Sequence, residues 1–370
     1  MPNTFATTKN IARGIRPRLI DNLVMPNLCH KDYSEAFGKQ GDTIRVRKPV
    51  VLEAKSFTAG TPVTAQDVVE DTVEVKLDKI ATVDIGFEAI QSALNVDDLN
   101  RLVIEPAAAA LAEKINSDGL DCYKVIGQVG GTVGTTPDGL DDLANVRKIL
   151  NKAKAPLSDR VAIWNVDADA AYTQLGNLVK VNESGSPRGL REGEIGRVFG
   201  LDNYMSQAVK ETTASITAAT TVKLNGATTA GTTTTLAIDG ASLTGKLSVG
   251  DVLKVGDVYY TVKAESAAAN TNAISGIQVN EPIQSHADNT DVTVYSGGVQ
   301  NLAFHKNAIA FVTRPLSAPA GVESYTTSYN GISLRVVRGY DMDNKKEKIS
   351  VDVLYGYKVV YPELALRYLG

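Results

Sequence analysis

Thr72-Val73-Glu74-Val75-Lys76-Leu77-Asp78-Lys79-Ile80-Ala81-Thr82-Val83-Asp84-Ile85-Gly86-Phe87 is the stretch that decides the fold. Val73, Val75, Leu77, Ala81, Val83, Ile85 and Phe87 hold odd positions, while Thr72, Glu74, Lys76, Asp78 and Asp84 hold even ones. A period of two gives an extended strand one apolar face. Upstream, Ile44, Val46, Val50 and Leu52 alternate likewise, with Arg45, Arg47, Glu53 and Lys55 between or beside them. Ala59-Gly60-Thr61-Pro62 reads as a turn. The two runs predict a long antiparallel ribbon over Gly41–Phe87. Such a ribbon is at best marginally stable alone in water. Its apolar face must be covered by distant parts of this chain or by a neighbouring subunit.

On the N-terminal side lies a basic arm. Residues 1–48 carry nine basic side chains against four acidic ones, a net +5. Arg16-Pro17-Arg18 leads into the apolar run Leu19–Leu28, which reads either as a helix over Pro17–Leu23 ended near Pro26 or as a flexible terminus. On the other side, Asp97-Asp98 opens a helical pattern: Leu99, Leu102, Val103, Pro106, Ala110, Leu111, Ile115 and Tyr123. The helix starts at Pro106 or kinks there, and the Ala107–Ala110 run favours it strongly. Continued to Ile126, about twenty residues make a rod of roughly 30 Å. Gly127–Asp138 reads as a glycine-rich loop. An α/β stretch follows, with an amphipathic helix over Asp138–Lys154 and an apolar strand, Val161–Trp164. A second helix over Asp167–Leu178 has Asp167 or Asp169 near its N-cap. A polar loop over Asn182–Arg191 leads to a strand ending at Val209.

Then the composition changes. No arginine stands between Arg197 and Arg314, where average density predicts about four or five. Within that gap, Glu211–Gly298 opens with a Thr/Ala/Gly-rich tract and carries four Lys against eight Asp or Glu, a net −4. Gly256-Asp257 separates Val249–Val255 from Val258–Val262, a hairpin signal. Further strands fit Thr221–Leu224, Thr233–Ile238, Ile274–Val279 and Val292–Tyr295. Five or six short strands in under ninety residues predict a small barrel or sandwich inserted into a loop of the α/β part. Leu302–Val312 resumes as an apolar strand or short helix. The tail is β-rich, with Ile332–Val337 and Ile349–Tyr357 flanking the charged turn Asp341–Lys348, then Val359-Val360 and Leu364–Leu366.

A chain of 370 residues, with 43% hydrophobic and 22% charged side chains, fits two or three globular domains. No apolar run reaches the length of a membrane span or a signal peptide core. Cys29 and Cys122, far apart, give neither a disulfide framework nor a zinc site, and suit a reducing cytoplasm. His30, His286 and His305 lack metal-ligand spacing and read as structural. Gly127–Gly134 lacks the Gly-Lys-Ser/Thr ending of a phosphate loop. Asp97-Asp98 and Asp141-Asp142 fall in first helical turns, where acids favour the macrodipole. Asp341, Asp343 and Asn344 lack the glycine and ligands of a calcium loop, since Lys345 and Lys346 stand there. No nucleophile-elbow motif is present. No catalytic, cofactor-binding or metal-ligating residue is assigned, and no enzyme activity is expected.

The order of parts resembles the major capsid proteins of tailed double-stranded DNA phages, the HK-ninety-seven fold. Glu192–Leu201 resembles the A-domain glycine stretch of that family. Asn301–Ala308 resembles the strand on which that domain resumes, and Leu354–Tyr357 with Pro362-Glu363 resembles its C-terminal strands. A β-barrel between the two A-domain stretches is similar to the insertion domain of P-twenty-two-type coat proteins. The resemblance implies an α+β fold with an N-arm (1–40), an E-loop ribbon (41–87) and a P-domain with spine helix (88–137 and 325–370). An A-domain (138–210 and 299–324) and the inserted barrel, or I-domain (211–298), complete it. It implies a homo-oligomer of pentamers and hexamers closing an icosahedral shell around packaged DNA. A scaffolding protein, a portal and a maturation step are implied too, as are assembly in the host cytoplasm and residence in the virion. Candidate inter-subunit contacts are Arg13, Arg16, Arg18, Arg45, Arg47, Lys48, Glu53, Glu70, Glu74 and Lys76.

Two rival readings remain at this level. One is the shell of a cellular nanocompartment with the same fold but protein cargo. The other is a soluble enzyme or glycan-binding protein with an accessory β-domain, which predicts a deep pocket with convergent polar groups. An uncovered, extended ribbon favours assembly; one folded back on its own chain favours the enzyme.

Overall fold

The computed structural model describes residues 23–31, 43–47, 72–87, 105–180, 185, 187–218, 221–319, 321–329, 332–341 and 346–370. In chain order, the first elements are helix α1 (Met25–Leu28), strands β1 (Thr43–Arg47), β2 (Thr72–Lys76) and β3 (Lys79–Phe87), helix α2 (Glu105–Leu120) and β4 (Val129–Gly131). Next come α3 (Leu140–Lys152), β5 (Arg160–Trp164), α4 (Val166–Thr173), α5 (Gly176–Val179), α6 (Arg188–Glu192), β6 (Arg197–Val198) and β7 (Leu201–Met205). Strands β8 (Glu211–Thr212), β9 (Ile216–Thr217), β10 (Val222–Leu224), β11 (Leu236–Asp239), β12 (Thr244–Gly245), β13 (Val252–Val255), β14 (Val258–Thr261), β15 (Ala273–Ile277) and β16 (Asp291–Tyr295) follow. The chain ends with β17 (Gly298–His305), β18 (Ile309–Arg314), β19 (Glu323–Tyr329), β20 (Ile332–Asp341), β21 (Lys346–Val359) and β22 (Ala365–Leu369).

Packing divides the chain into two units. One comprises the described residues within Lys31–Ala107 and Ala310–Val360, the other those within Arg18–His30, Ala108–Ile309 and Tyr361–Gly370.

In the first unit the long strand β21 is the organiser. It pairs antiparallel with β20 on one side and with β3 on the other, from Glu347↔Phe87 to Tyr355↔Lys79. The alternation read in residues 72–87 therefore does its work on this sheet. Val75, Leu77 and Ala81 are buried, and every even residue from Thr72 to Gly86 is exposed. The reading of one continuous ribbon needs correction, because its second strand divides at Leu77-Asp78. Strand β2 pairs with β1, whereas β3 leaves it for β21, more than 250 residues away. Distant parts of the chain thus cover the base of the ribbon. Gly356 permits that approach, since a Cβ there would lie 2.0 Å from the Lys76 carbonyl oxygen. The ribbon tip, including Lys48, Glu53 and Glu70, lies outside the described residues, as do the helical start at Asp97-Asp98 and the turn residues Asp343 to Lys345. Strand β19, which the sequence pattern did not separate, forms the far edge of the sheet on β20. Arg335 and Asp352 face each other across β20 and β21, joined at 2.5 Å and 3.0 Å, largely buried.

The second unit is built on a mixed sheet in the order β4-β22-β17-β5-β7-β6. One face carries a core of Leu143, Val146 and Leu150 from α3, Ala168 and Tyr172 from α4, and Trp164, Ala303, Leu366 and Tyr368 from the strands. Helix α3 matches the 3.6-residue pattern; Asp142 accepts from the Asp138 and Gly139 amides and ties its first turn. The N-cap of α4 is Asn165 and neither aspartate proposed for it. Its extended backbone and its side chain, which accepts from the Ala168 amide, satisfy a free donor of the first turn. The expected glycine-rich loop contains β4, which runs parallel to β22. The expected polar loop over Asn182–Arg191 contains the start of α6. Helix α2 ends in a 3-10 turn over Asp121–Val125. The short helix near Pro26 begins where one was expected to end, since proline fits a first turn. Residues 17–22 lie outside the described set.

Residues 222–295 form a second sheet in the order β14-β13-β16-β10-β11-β15. A Val262↔Val279 bridge, with Lys263 donating to Gln278 O and Asn280 donating to Thr261 O, links the two outer strands. The six strands therefore close into a ring. Its interior is a separate apolar core: Leu224, Leu236, Ile238, Leu253, Val255, Tyr260, Ile274 and Ile277 are all buried there. The chain enters and leaves side by side, because β8 pairs with the start of β17 through Thr212↔Gly298.

Candidate assembly surfaces

The ribbon supplies the first surface. Arg45 and Glu74 oppose each other across β1 and β2, and Arg45 Nε donates to Glu74 Oε1 at 3.3 Å. Both side chains are well exposed, so the pair adds roughly 0–1 kcal/mol to the subunit. Its charges thus stay available to a partner at little cost. Lys76 is exposed at the end of β2, and Arg47 closes β1. Arg13, Arg16, Arg18, Lys48, Glu53 and Glu70 lie outside the described residues, as does the Arg47 side chain. Only Arg45 and Glu74, of the ten candidates, form an ion pair with each other among the described residues.

A second surface lies at the free edge of the α/β sheet, where the stretch Glu192–Leu201 runs. Phe199 and Gly200 connect β6 to β7 with φ of 51° and 81°. Two positive φ values suit the twist of a two-residue hairpin, but a bulky residue is rare in the first position. Phe199 is exposed, as are Leu190, Tyr204 and Met205. Of these, Phe199 lines an open cleft of about 580 Å³ together with Leu140, Leu178, Arg188, Glu194 and Arg197. Arg188 and Glu194 pair at 3.4 Å at this cleft. An exposed phenylalanine at the rim of a cleft makes this edge a candidate contact surface. Sequence reasoning missed it. The signal available was Phe199 beside a turn glycine.

Asn203, also missed, holds this hairpin. Its Nδ2 donates to the carbonyls of Gly196 (3.0 Å) and Leu201 (3.2 Å), while its Oδ1 accepts from Trp164 Nε1 (3.0 Å). Trp164 is buried edge-on between Tyr172 and Tyr368. Asn116 of α2 does comparable work for the arm: its Oδ1 accepts from the amides of Val24 and Met25, both at 3.1 Å, where the short helix begins.

His286 and His305 sit in hydrogen-bonded surroundings. Tyr260 OH meets His286 Nε2 at 2.7 Å, and His305 Nδ1 accepts from the Asn307 amide at 3.2 Å. Burial pushes the His305 imidazole below its ordinary value. Cys29 and Cys122 are both buried. Asp142 also accepts from Tyr368 OH at 2.6 Å; burial, and then this bond, raise the phenol's pKa. Among the described residues, no group of three or more His, Cys, Asp or Glu stands close enough to hold a metal ion. No described helix is long and apolar enough to cross a membrane.

This succession of a ribbon, a long helix, an α/β sheet and a β-rich C-terminal sheet is a fold shared with a solved phage structure. A solved structure from Mycobacterium phage Che8 superposes with a TM-score of 0.55 at 18% identity, covering 94% of this chain and 90% of that one. Looser likenesses are the capsid of cyanophage P-SCSP1u (TM-score 0.47, 14% identity, 89% and 84% covered) and a virus-like particle from Pyrococcus furiosus (TM-score 0.43, 9% identity, 98% of each). Residues 261–367 match the family described as "P22 coat protein - gene protein 5". The match runs from the end of β14 in the ring to β22 of the body sheet. No curated protein matches the sequence.

Proposed function

We propose that this chain is a structural major capsid protein whose copies assemble into an icosahedral shell enclosing phage double-stranded DNA. The observation that carries the reading is the whole-chain fold likeness together with the coat-protein match over residues 261–367. The role is structural, with no catalytic step. On this reading the parts are the N-arm (1–40), the E-loop (41–87), the P-domain (88–137 and 325–370), the A-domain (138–210 and 299–324) and the I-domain (211–298). The ribbon lies over a neighbouring subunit, with Arg45 and Glu74 as candidate contacts. The basic arm clasps another subunit. Pentamers and hexamers assemble on a scaffolding protein around a portal in the host cytoplasm, and the product is the virion shell.

The described ribbon base pairs with its own chain, the outcome set above in favour of an enzyme, but the whole-chain fold likeness and the coat-protein match outweigh it. The cleft beside Phe199 is open, and its charged groups Arg188 and Glu194 pair with each other. Negative-stain microscopy of purified protein, with and without scaffold, tests the proposal. Closed shells of uniform size are expected. A monodisperse monomer under every condition of salt and concentration would overturn it, and shells carrying protein cargo and no DNA would favour a cellular compartment.

A further inference from the structure

Strand β22 lies inside the body sheet, between β4 and β17. Its residues alternate between the two faces. Leu366 and Tyr368 enter the core under α3, so Ala365, Arg367 and Leu369 face the other way. On that second face Leu369 packs with Val129 of the body and with Val252, Tyr259 and Tyr295 of the six-stranded ring. Arg367 therefore sits, fully buried, on the sheet face that meets the ring.

Its contacts are few and directed. Nη1 donates to the carbonyl of Gly250, at the foot of the ring, at 2.6 Å. The guanidinium stands 5.7 Å from the Tyr123 ring centroid. Nε and Nη2 have no hydrogen-bond partner among the described residues. Burial pushes its pKa down to about 10, so it stays charged at neutral pH. Gly250 is held close by its own shape. Its φ is +96°, and a Cβ there would lie 3.0 Å from Lys124 Cα.

The next residue grips the two connections to the ring. Asp251 is buried; its carboxylate accepts from the Ser248 amide at 2.8 Å and from Ser215 Oγ. Ser215 lies on the way in. Its amide donates to the Oγ of Ser296, on the way out, at 2.7 Å, and the two hydroxyl oxygens meet at 3.0 Å. Beside them Gly297 crosses Ala214 so closely that a Cβ would lie 2.6 Å from its amide nitrogen.

A buried, half-satisfied arginine is a poor source of stability. Apolar replacements of similar volume are often neutral or stabilising, because desolvation offsets the attraction. What directed charge contacts give in some proteins is a single geometry. An apolar seam of Val129, Val252, Leu369, Tyr259 and Tyr295 has no direction and tolerates sliding. We propose that Arg367 with Gly250–Asp251 forms a clasp that fixes the orientation of the six-stranded ring on the body sheet, and thereby the uniformity of the assembled shell. The clasp itself follows from the contacts above; its consequence for the shell rests on the capsid reading.

The test uses the full chain with spin labels at Asp257→Cys, on the ring, and Lys148→Cys, on α3. Both positions are exposed, and the native cysteines are buried. Pulsed dipolar spectroscopy on the soluble subunit reads the ring-to-body distance. Arg367→Met should broaden or shift the distribution while the melting temperature stays level or rises, an outcome that a merely stabilising arginine would not give. Arg367→Lys should not restore the narrow distribution, since an ammonium lacks the planar fork. Asp251→Asn combined with Ser215→Ala leaves the body untouched and should loosen the ring similarly. About tenfold faster amide exchange is expected at Ser215 to Thr217, equivalent to losing one charge-assisted bond. Superimposable distributions for the parent, Arg367→Met and the Asp251/Ser215 variant would overturn the clasp, even if the methionine variant alone folds badly. Microscopy then separates the two claims. Shells absent from the parent sink the capsid reading and leave the distance result standing. Uniform shells from a variant with a broadened distribution would refute the link to shell geometry.

Discussion

Replacing Asn203 with alanine should uncouple the β6–β7 hairpin from the core beneath it. The parent side chain makes three hydrogen bonds, at 3.0 Å to Trp164 Nε1, 3.0 Å to Gly196 O and 3.2 Å to Leu201 O. Trp164 is 1% exposed, so its indole N–H loses its partner in a site closed to water. Such an orphaned donor costs about 1–3 kcal/mol. Asn203 itself is half-buried, so water replaces part of what the two carbonyls lose. The sum is roughly 2 kcal/mol, near the upper half of ordinary single substitutions. Trp164 is the sole tryptophan in the chain, so its emission follows this core alone. Urea unfolding followed by that emission should show a lower midpoint at unchanged slope, the mark of altered stability. Asn203→Asp keeps an acceptor for the indole but sets a carboxylate against two carbonyls. It should leave the emission nearly native while loosening residues 196–201 in amide exchange. An alanine variant within about 0.5 kcal/mol of the parent, with native emission, would refute the reasoning.

Leu253→Ala, fully buried in the ring, should cost about 3 kcal/mol and lower amide protection across 222–295 while the Trp164 transition stays in place; joint movement of both signals would show one cooperative core. Arg45→Glu puts like charges across β1 and β2. The change should lower subunit stability by less than about 1 kcal/mol yet slow assembly seen by light scattering, more so at low salt. Unchanged assembly would remove Arg45 from the inter-subunit contacts. Burial holds His305 below its ordinary 6.5, so the unfolded chain binds the proton more readily. The stability this represents is complete above 6.5 and falls as pH drops through that value toward the folded one. Melting temperatures measured from about pH 8 to about pH 5 should fall less steeply for His305→Gln; an identical slope would place the acid sensitivity elsewhere.

Local periodicity carried much of this fold into the sequence. The odd–even pattern of residues 72–86 matches burial, with every even position exposed and every odd one buried or half-buried, because side-chain direction in a strand depends only on neighbours along the chain. The six strands of the ring and helices α2 and α3 were legible for the same reason. Partnership was not. Nothing in Lys79–Phe87 names β21 as its mate, and the division at Leu77-Asp78 follows from that pairing. The N-cap of α4 was misplaced because Asn165, Asp167 and Asp169, at alternate positions, compete for that role, and backbone geometry chooses Asn165.

The candidate surfaces divide similarly. Arg45 and Glu74 were readable as charges on a ribbon, but their register, which sets them face to face, was not. Phe199 and Met205 look like core residues in sequence, and only the free sheet edge exposes them. Arg367 is the clearest case. In Ala365–Leu369 it reads as one charge in an apolar strand. By itself the sequence determined the elements, the alternating faces, the inserted β-rich segment and the order of parts. The tertiary structure decided which strands pair, which apolar residues remain outside, and that one arginine lies between ring and sheet. The reason is physical: periodicity and turn chemistry act over a few residues, whereas pairing and burial depend on segments brought together from up to several hundred residues apart.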